Sequence, residues 1–564
     1  ESSGPSTPCG PPDRFATVTT AVVSVLFGGR STVTFSFQAF VSLLIVGITA
    51  RYLGQSGLGR YAYAISLIEL FVVLVDMGMN RILVREISKQ REDTDRLTSS
   101  IWTLRLLLTV VVMVIVGIVA GGRDMEVWWA VMVYFVAQVI FLLGDVFGSV
   151  FQGYQRMEYQ FWGINLAQVL LIAFTLAAVW LNFGLIGLFA ARLLANTVRL
   201  AYVWWISVHK GFAKAHFQTG VLAGAWLAIR TAPVTLTSWR QDGKQQAKVT
   251  LYSLGERLGP RWQDATLAWH MAVESLPVGI SLLLRSYIWR AGVLLTVVWL
   301  GQQQGDMVNG VLYGPLRAVQ QLRIIPAAFA AAMLPVFSNR AGARQDEFDS
   351  AFAKSIKLFA AISLLIALSF TFLADPMVHL LLGDTIDLKT AALVLAVLGW
   401  VIVLYFPNWL YGVTLVALGK QKLETVGLIL GVIGGYIMAR WSIPRYQAMG
   451  VTYAILAAEA IFFVVGTTVM WKHFRWRQLA PSLAKIVLSC GIAGLIFLIG
   501  SQLWGIVQDM LPVPGGTVGA LAEIIVVGGL GGIGFVMALW LLHAFDPDEQ
   551  ESIKVMLHLG RKRP

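Results

Sequence analysis

Apolar runs of about 20 residues recur along almost the whole chain, divided by short polar turns. As a helix, such a run crosses about 30 Å of hydrocarbon. Inside lipid every backbone N–H and C=O must be satisfied within the protein, so only helices and closed barrels span a membrane. The runs are too long for barrel strands. The expected fold class is therefore all-α, a polytopic helical membrane protein. The composition agrees. Of 564 residues only 13% are charged and 57% are hydrophobic, where a soluble chain carries about 25% charged residues.

The runs number about 14 and suggest two six-helix lobes plus two C-terminal helices. The expected organisation is a disordered tail and N-terminal amphipathic segment (1–30), an N-lobe (31–208), a cytoplasmic loop (209–265), a C-lobe (266–471), two further spans (472–543) and a cytoplasmic amphipathic tail (544–564). The opening ESSGPSTPCGPPD is rich in Pro, Ser and Gly, a composition that favours disorder. The first residue is not Met and no signal-peptide pattern is present.

The formal charge of +12 would suggest nucleic acid in a soluble protein. Here the cations lie in alternate connections, about 28 Lys and Arg on one side against about five on the other. The positive-inside rule then places both termini and the 209–265 loop in the cytoplasm of a cell with this protein in its inner membrane. No nucleic-acid partner is expected. Two cysteines, Cys9 and Cys490, give neither a disulfide framework nor metal-ligand spacing.

One tripeptide hints at duplication. Leu53-Gly54-Gln55 closes the first span and Leu300-Gly301-Gln302 closes the seventh. Each precedes a polar turn and a span with charges in it. Halves with an even number of spans each would be parallel repeats, with a binding site between them near the midplane.

A cation inside a bilayer costs roughly 2.5 kcal/mol or more, so it usually faces a partner or a wet cavity. Between Arg285 and Arg323 lie four arginines: Arg285, Arg290, Arg317 and Arg323. On a helix, residues seven or eleven apart share a face. Ser31, Gln38, Ser42 and Thr49 make one stripe in the first span. Glu69 and Asp76 align in the second, with Asn80 beside them. Glu274, Ser281 and Arg285 align in the seventh, and Arg290 lies about 140° round from Arg285. The eighth carries Arg317, Gln320, Gln321 and Arg323. These four spans supply the candidate cavity: cations Arg285, Arg290, Arg317 and Arg323, with Gln38, Glu69, Asp76, Glu274 and Gln321 as polar or coupling groups.

Alternatives stay open residue by residue. The Ser and Gln stripe also suits helix–helix contact. Glu69 also suits a structural ion pair with a neighbouring arginine, Asp76 an interfacial position, and Arg323 snorkelling toward the cytoplasm. Asp145, Glu459 and Glu523 read as packing or helix-end acids. Several arginines suit pyrophosphate, because guanidinium gives planar, multidentate hydrogen bonds to phosphate oxygens. Ser, Gln, Asn and Tyr can line space for sugars, and a polyprenyl tail can stay in lipid. Glu69 and Asp76 would neutralise the arginines when no ligand is bound.

The stretch ARYLGQSGLGRYAYAISLIELFVVLVDMGMNRILVREISK at 50–89 resembles the first two helices of the polysaccharide flippase family, the oligosaccharidyl-lipid branch of the MOP (multidrug/oligosaccharidyl-lipid/polysaccharide) exporters. LPVGISLLLRSYIWRAGVLL and YGPLRAVQQLRIIPAAFAAAMLPVFSNR resemble their seventh and eighth helices, and DPDEQESIKVML is similar to an amphipathic tail many of them carry. The resemblance implies two six-helix lobes in a V, a central cationic cavity, and alternating access for lipid-linked saccharides. It sets Arg290 at the arginine of an Arg-x-Asp pattern, with Gly292 in place of the acid, and Arg317 at the arginine of the eighth helix. The 209–265 loop is longer than the family's usual connection.

The function expected is translocation of a polyprenyl-(pyro)phosphate-linked oligosaccharide, without enzymatic chemistry. No cofactor is expected beyond H+ or Na+ as a candidate coupling ion. The expected partners are the lipid-linked saccharide, membrane lipids and polysaccharide-assembly proteins, around a monomer. The alternatives are a multidrug/cation antiporter of the same superfamily, a lipid II flippase, and a membrane glycan polymerase or ligase. An arginine-lined cavity repels organic cations. An enzyme needs catalytic groups on an outer loop, and the longest, 374–387 with Asp375, His379, Asp384 and Asp387, reads as a solvated loop. No GxxxxGK[ST] phosphate loop appears.

Overall fold

The computed structural model describes residues 30–219, 221, 260–326, 329, 345–471, 474, 476–510 and 516–546. Among them there is no strand. The helices are α1 Arg30–Asp76, α2 Met79–Lys89, α3 Thr94–Ala120, α4 Met125–Gly153, α5 Met157–Trp180, α6 Gly184–His209, α7 Pro260–Leu300, α8 Gln302–Leu322, α9 Gln345–Phe372, α10 Ala374–Leu382, α11 Leu388–Ala417, α12 Gln421–Trp471, α13 Trp476–Met510 and α14 Thr517–Leu541. Eleven helical segments among the described residues are long and apolar enough to cross a membrane. Two of them, Ser36–Lys89 with 54 residues and Gln421–Trp471 with 51, are each long enough to cross twice. The more polar Gln302–Leu322 is not one of the eleven. The chain is a multi-pass helical membrane protein.

The described chain falls into two compact units, Arg60–Leu294 and a discontinuous one made of Glu1–Gly59 with Leu295–Pro564. The borders differ from those expected at 208 and 266. The first span groups with the second half of the chain, and most of the seventh groups with the first half.

In the Arg60–Leu294 unit, α4 is the central helix, packed by α2, α3 and α6, while α5 leans on α6. Aromatic rings fill its interior: Phe189 stacks on Tyr61 at 4.8 Å and lies 4.9 Å from Tyr134. Phe147 and Phe151 pack with Val203 and Ile206. The second span is not one helix, as the sequence suggests, but breaks at Met77 (φ 45°) and Gly78 (φ 76°). A Cβ added to Gly279 of α7 would sit 3.1 Å from the Met77 carbonyl oxygen. α7 therefore crosses the break at backbone contact.

The start of the 209–265 connection is seated on this unit. Residues 213–218 carry no helix and run beside the polar stripe of α3. Lys214 N–H donates to Asp95 at 2.7 Å, His216 N–H to the Ser99 hydroxyl at 2.9 Å and Gln218 N–H to the Thr103 hydroxyl at 3.0 Å. Asp95, Ser99 and Thr103 are spaced by four and share a face. Every second backbone N–H of the strap thus meets successive turns of the helix. Residues 222–259 lie outside the described residues. The expected loop 209–265 also ends early, because α7 begins at Pro260.

In the other unit α11 packs against α9, α12 and α8, and α13 and α14 join through α9 and α10. Two legs of α12 fold on each other about Gln447, whose φ of 49° and ψ of −114° break the helix. Gly431 meets the carbonyl oxygen of Ala458 and Gly435 its Cβ, the close approach that small residues give where no hydrophobic drive exists between helices in lipid. α13 and α14 share an apolar cluster around Phe497, which stacks on Phe372 at 5.6 Å. The 374–387 stretch is a helix rather than the expected loop. Asp387 caps α11 by accepting the Thr390 N–H at 3.2 Å and its hydroxyl at 2.6 Å, which holds its carboxyl below the usual range. The eighth helix starts at Gln302, inside a segment expected as a turn.

The repeated tripeptide has a physical reason. Gly54 has φ 66°, ψ −174° and Gly301 has φ 83°, ψ 170°, a region reached in practice only by glycine. Both glycines have open space around them, so the requirement is conformational. Gly54→Ala and Gly301→Ala are each expected to destabilise by about 1–3 kcal/mol. Gly505→Ala, in open space within α13, should be neutral or gain up to about 1 kcal/mol. Thermal unfolding of the purified protein checks this.

Candidate functional site

The candidate residues divide between the units. Glu69, Asp76, Glu274, Arg285 and Arg290 belong to Arg60–Leu294, and Gln38, Arg317, Gln321 and Arg323 to the other.

In the first set Glu69 of α1 forms an ion pair with Arg290 of α7, both largely buried at 15% and 16% side-chain exposure. Tyr134 of α4 donates its hydroxyl to Glu69 Oε1 at 3.2 Å. The backbone oxygen of Glu69 accepts from Ser286 at 3.5 Å. Arg290 lies ten residues before the end of α7, about 15 Å of helix and so near half the depth of a bilayer core. The structure therefore joins two candidates expected to oppose one another. Arg285, on the same helix, is half-buried.

Asp76 and Glu274 are engaged differently from what the sequence suggests. Glu274 pairs with Arg85 of α2 at 2.5 Å, near the exposed end. Asp76 pairs with Arg105 of α3, a residue absent from the expected set and fully buried. From there a polar chain crosses the unit. Arg105 Nη2 also donates to Asn80 Oδ1 at 2.9 Å, and its Nη1 to the Leu142 carbonyl at 2.6 Å. Asn80 Nδ2 donates to Asp145 at 2.6 Å. Asp145 in turn accepts from Arg199 of α6, buried to 1% exposure, at 3.3 Å. The other Asp76 oxygen accepts the Gly78 N–H at 3.3 Å, which fixes the break after α1. Two carboxylates and two guanidinium groups cancel. Asp145 is thus an ion-pair partner rather than a lone packing acid.

Depth could have revealed this network. By the expected spans, Asp76, Arg105, Asp145 and Arg199 all lie five to nine residues from the ends that face one side. Opposite charges at one level in neighbouring helices are candidates to pair.

In the second set Arg317 Nε donates to the Ser42 hydroxyl at 2.8 Å, and Gln321 Nε2 donates to the same oxygen at 3.1 Å. α8 thus grips α1 through the stripe that holds Gln38 and Ser42. Gln38 itself is half-buried. Arg323 donates to the Tyr405 hydroxyl at 2.7 Å and sits 5.3 Å over its ring. Toward the other end of the same helix, Arg51 donates to the Leu380 and Leu381 carbonyls at 2.9 and 3.3 Å, which caps α10. Gln55 donates to the Met307 carbonyl at 3.0 Å and accepts from the Asp387 N–H at 3.2 Å. Among the described residues no group of three His, Cys, Asp or Glu is placed to hold a metal ion.

Two family profiles match the chain. The polysaccharide biosynthesis protein family covers residues 25–237, and the MatE family covers 294–441. Among curated protein sequences none matches. Solved structures share the fold at low identity. A lipid II flippase MurJ in an inward closed conformation is 13% identical with TM-score 0.61, over 91% of this chain and 98% of that one. An inward-facing multidrug resistance MATE transporter of the MOP superfamily is 15% identical with TM-score 0.58, over 83% and 99%. A MOP transporter from Pyrococcus furiosus, described as having a binding pocket of reverse polarity that suggests a different function, is 15% identical with TM-score 0.50, over 81% and 95%.

Removing one member of a buried charge pair typically costs about 3–5 kcal/mol, because the other charge stays buried. Asp145→Ala should lose stability in that range. Glu158→Ala, which breaks an exposed pair with Arg156, should cost less than about 1 kcal/mol. Thermal unfolding of the two variants side by side checks the difference.

Proposed function

We propose that this multi-pass membrane protein is a transporter of the MOP superfamily and flips a polyprenyl-phosphate- or pyrophosphate-linked saccharide across the cytoplasmic membrane. The observation that carries the proposal is the pair of deep arginines, Arg290 and Arg317. Each is anchored by a side chain of α1, Glu69 in one unit and Ser42 in the other. A dianionic phosphate group that sheds water needs such donors, and guanidinium supplies them in a planar fork.

Glu69 gives the ligand-free protein a counter-ion for Arg290. In this reading an entering phosphate takes over Arg290, and its departure lets Glu69 return. Arg290 then keeps a counter-ion both with and without cargo. Ser42 and Gln321 orient Arg317, and Tyr134 orients Glu69. The match of residues 25–237 to the polysaccharide biosynthesis family supports a saccharide cargo. The likeness to a lipid II flippase is compatible with a lipid-linked one. The cation distribution supports cytoplasmic termini. We read the protein as a monomeric carrier rather than an enzyme.

The MatE match over 294–441 favours a second reading, a drug or cation antiporter. One experiment separates the two. In cells lacking this protein, the lipid-linked saccharide should accumulate on the cytoplasmic side. Wild type should restore export; Arg290→Ala and Arg317→Ala, expressed at equal level, should each cut it at least tenfold. Glu69→Gln should retain binding of the lipid-linked cargo and slow turnover. Unchanged sidedness together with new drug sensitivity would sink the flippase reading in favour of the antiporter. Unfinished glycans on the correct side would point to an enzyme.

A further inference from the structure

The turn before the break of α12 at Gln447 carries a feature that the transport site does not use. Arg440 sits 5.6 Å over the Trp299 ring, and Trp299 lies edge-on to Tyr436 at 5.9 Å. Five residues on, Arg445 sits 5.1 Å over Trp441 and donates to that residue's own carbonyl at 2.8 Å. Trp441 continues to Tyr446 at 5.7 Å, and Tyr446 to Tyr453 at 5.9 Å. All of these residues belong to the Leu295–Pro564 part of one unit. Both arginines are exposed, and Tyr436, Trp441 and Tyr446 are each about half exposed, at 45%, 47% and 49%.

Depth along the helix places the group. Lys422 to Arg440 is eighteen residues, about 27 Å of helix, close to the full thickness of a hydrocarbon core. With Lys422 at one boundary, Arg440 reaches the other, and Arg445 lies beyond it among the head groups. No carboxylate occurs from residue 425 to 458. The backbone is held in place for this display. Gln447 takes a conformation rare for a residue with a side chain, and Ser442 ties the two legs together by donating to the Gly450 carbonyl at 2.8 Å.

We propose that this turn is a binding site for an anionic phospholipid of the surrounding bilayer, gripped at its phosphate by Arg440 and Arg445 and flanked by the aromatic rings. Tryptophan and tyrosine favour the membrane–water boundary by themselves. What selects an anion is the two guanidinium groups. Each is backed on one face by an indole, which orients it and thins its hydration, and their remaining N–H groups are available to phosphate oxygens. Aromatic rings alone would suit a sugar face, but two fixed cations with no acid in this stretch suit a phosphate. The site is separate from Arg290 and Arg317 and from whatever cargo they carry.

The test uses the full-length protein, free of cargo, in nanodiscs of phosphatidylcholine with a graded share of phosphatidylglycerol. Lipids that stay bound after extraction are counted by native mass spectrometry. Wild type should retain phosphatidylglycerol over phosphatidylcholine. The double variant R440Q/R445Q should weaken that preference about tenfold, with phosphatidylcholine retention unchanged. Trp441→Leu keeps both charges and should weaken it severalfold, which guards against misfolding of the double variant. Arg156→Gln, far along the chain in an exposed pair, should behave as wild type. Equal phosphatidylglycerol retention in wild type and both site variants overturns the proposal. So does a parallel loss of both lipids, which would mark a general interfacial contact.

Discussion

Charge balance inside the hydrocarbon is the constraint on which the rest of this structure depends. Arg105 and Arg199 are among the largest fully buried side chains of the described residues. Neither could stay in lipid alone, because an uncompensated ion there costs several kcal/mol. Asp76 and Asp145 cancel them, and Asn80 joins the two pairs into one network. That network reaches α1, α2, α3, α4 and α6, so the spacing of those helices is fixed by hydrogen bonds as well as by packing. It also holds the broken turn at Met77 and Gly78, where α7 crosses at backbone contact.

The transport candidates use the same physics. The Asp76 network balances two carboxylates against two guanidinium groups among its own members. The Glu69–Arg290 pair joins α1 to α7, and Tyr134 of α4 donates to its carboxylate.

Much of this was legible in the residues. Length and apolarity of the runs gave an all-helical membrane protein, and the charged positions at Glu69, Arg290 and Arg317 were visible as anomalies within them. The Leu-Gly-Gln echo was also visible, and its cause is a backbone conformation that excludes side chains. Arg105 and Arg199 went unnoticed because face periodicity offers neither a counter-ion: Arg105 shares its face with no other charge, and Arg192, seven residues before Arg199, is a second cation. Their partners are on other helices, and only a comparison of depths between spans exposes them. The strap at 213–218 was hidden for a related reason. Its pairing joins backbone groups to a Ser and Thr stripe 115 residues and more away, and nothing in its own composition announces it.

The division of the chain at Gly59 and Leu294 has a consequence for anyone who would split its gene. The long connection after α6 looks like the natural place to cut the polypeptide into two fragments. Yet a cut there respects neither compact unit: it severs Arg60–Leu294 and parts the two stretches, Glu1–Gly59 and Leu295–Pro564, that make up the other. The amino-terminal fragment would carry residues up to Gly59 without the unit they pack in, and the carboxy-terminal fragment would carry the part of α7 before Leu295 without its own. Each piece made alone would therefore present an orphan helix bearing polar groups whose partners lie in the other fragment, Ser42 and Arg51 in one and Arg290 in the other. Complementation by two co-expressed fragments would require that they trade helices as they assemble.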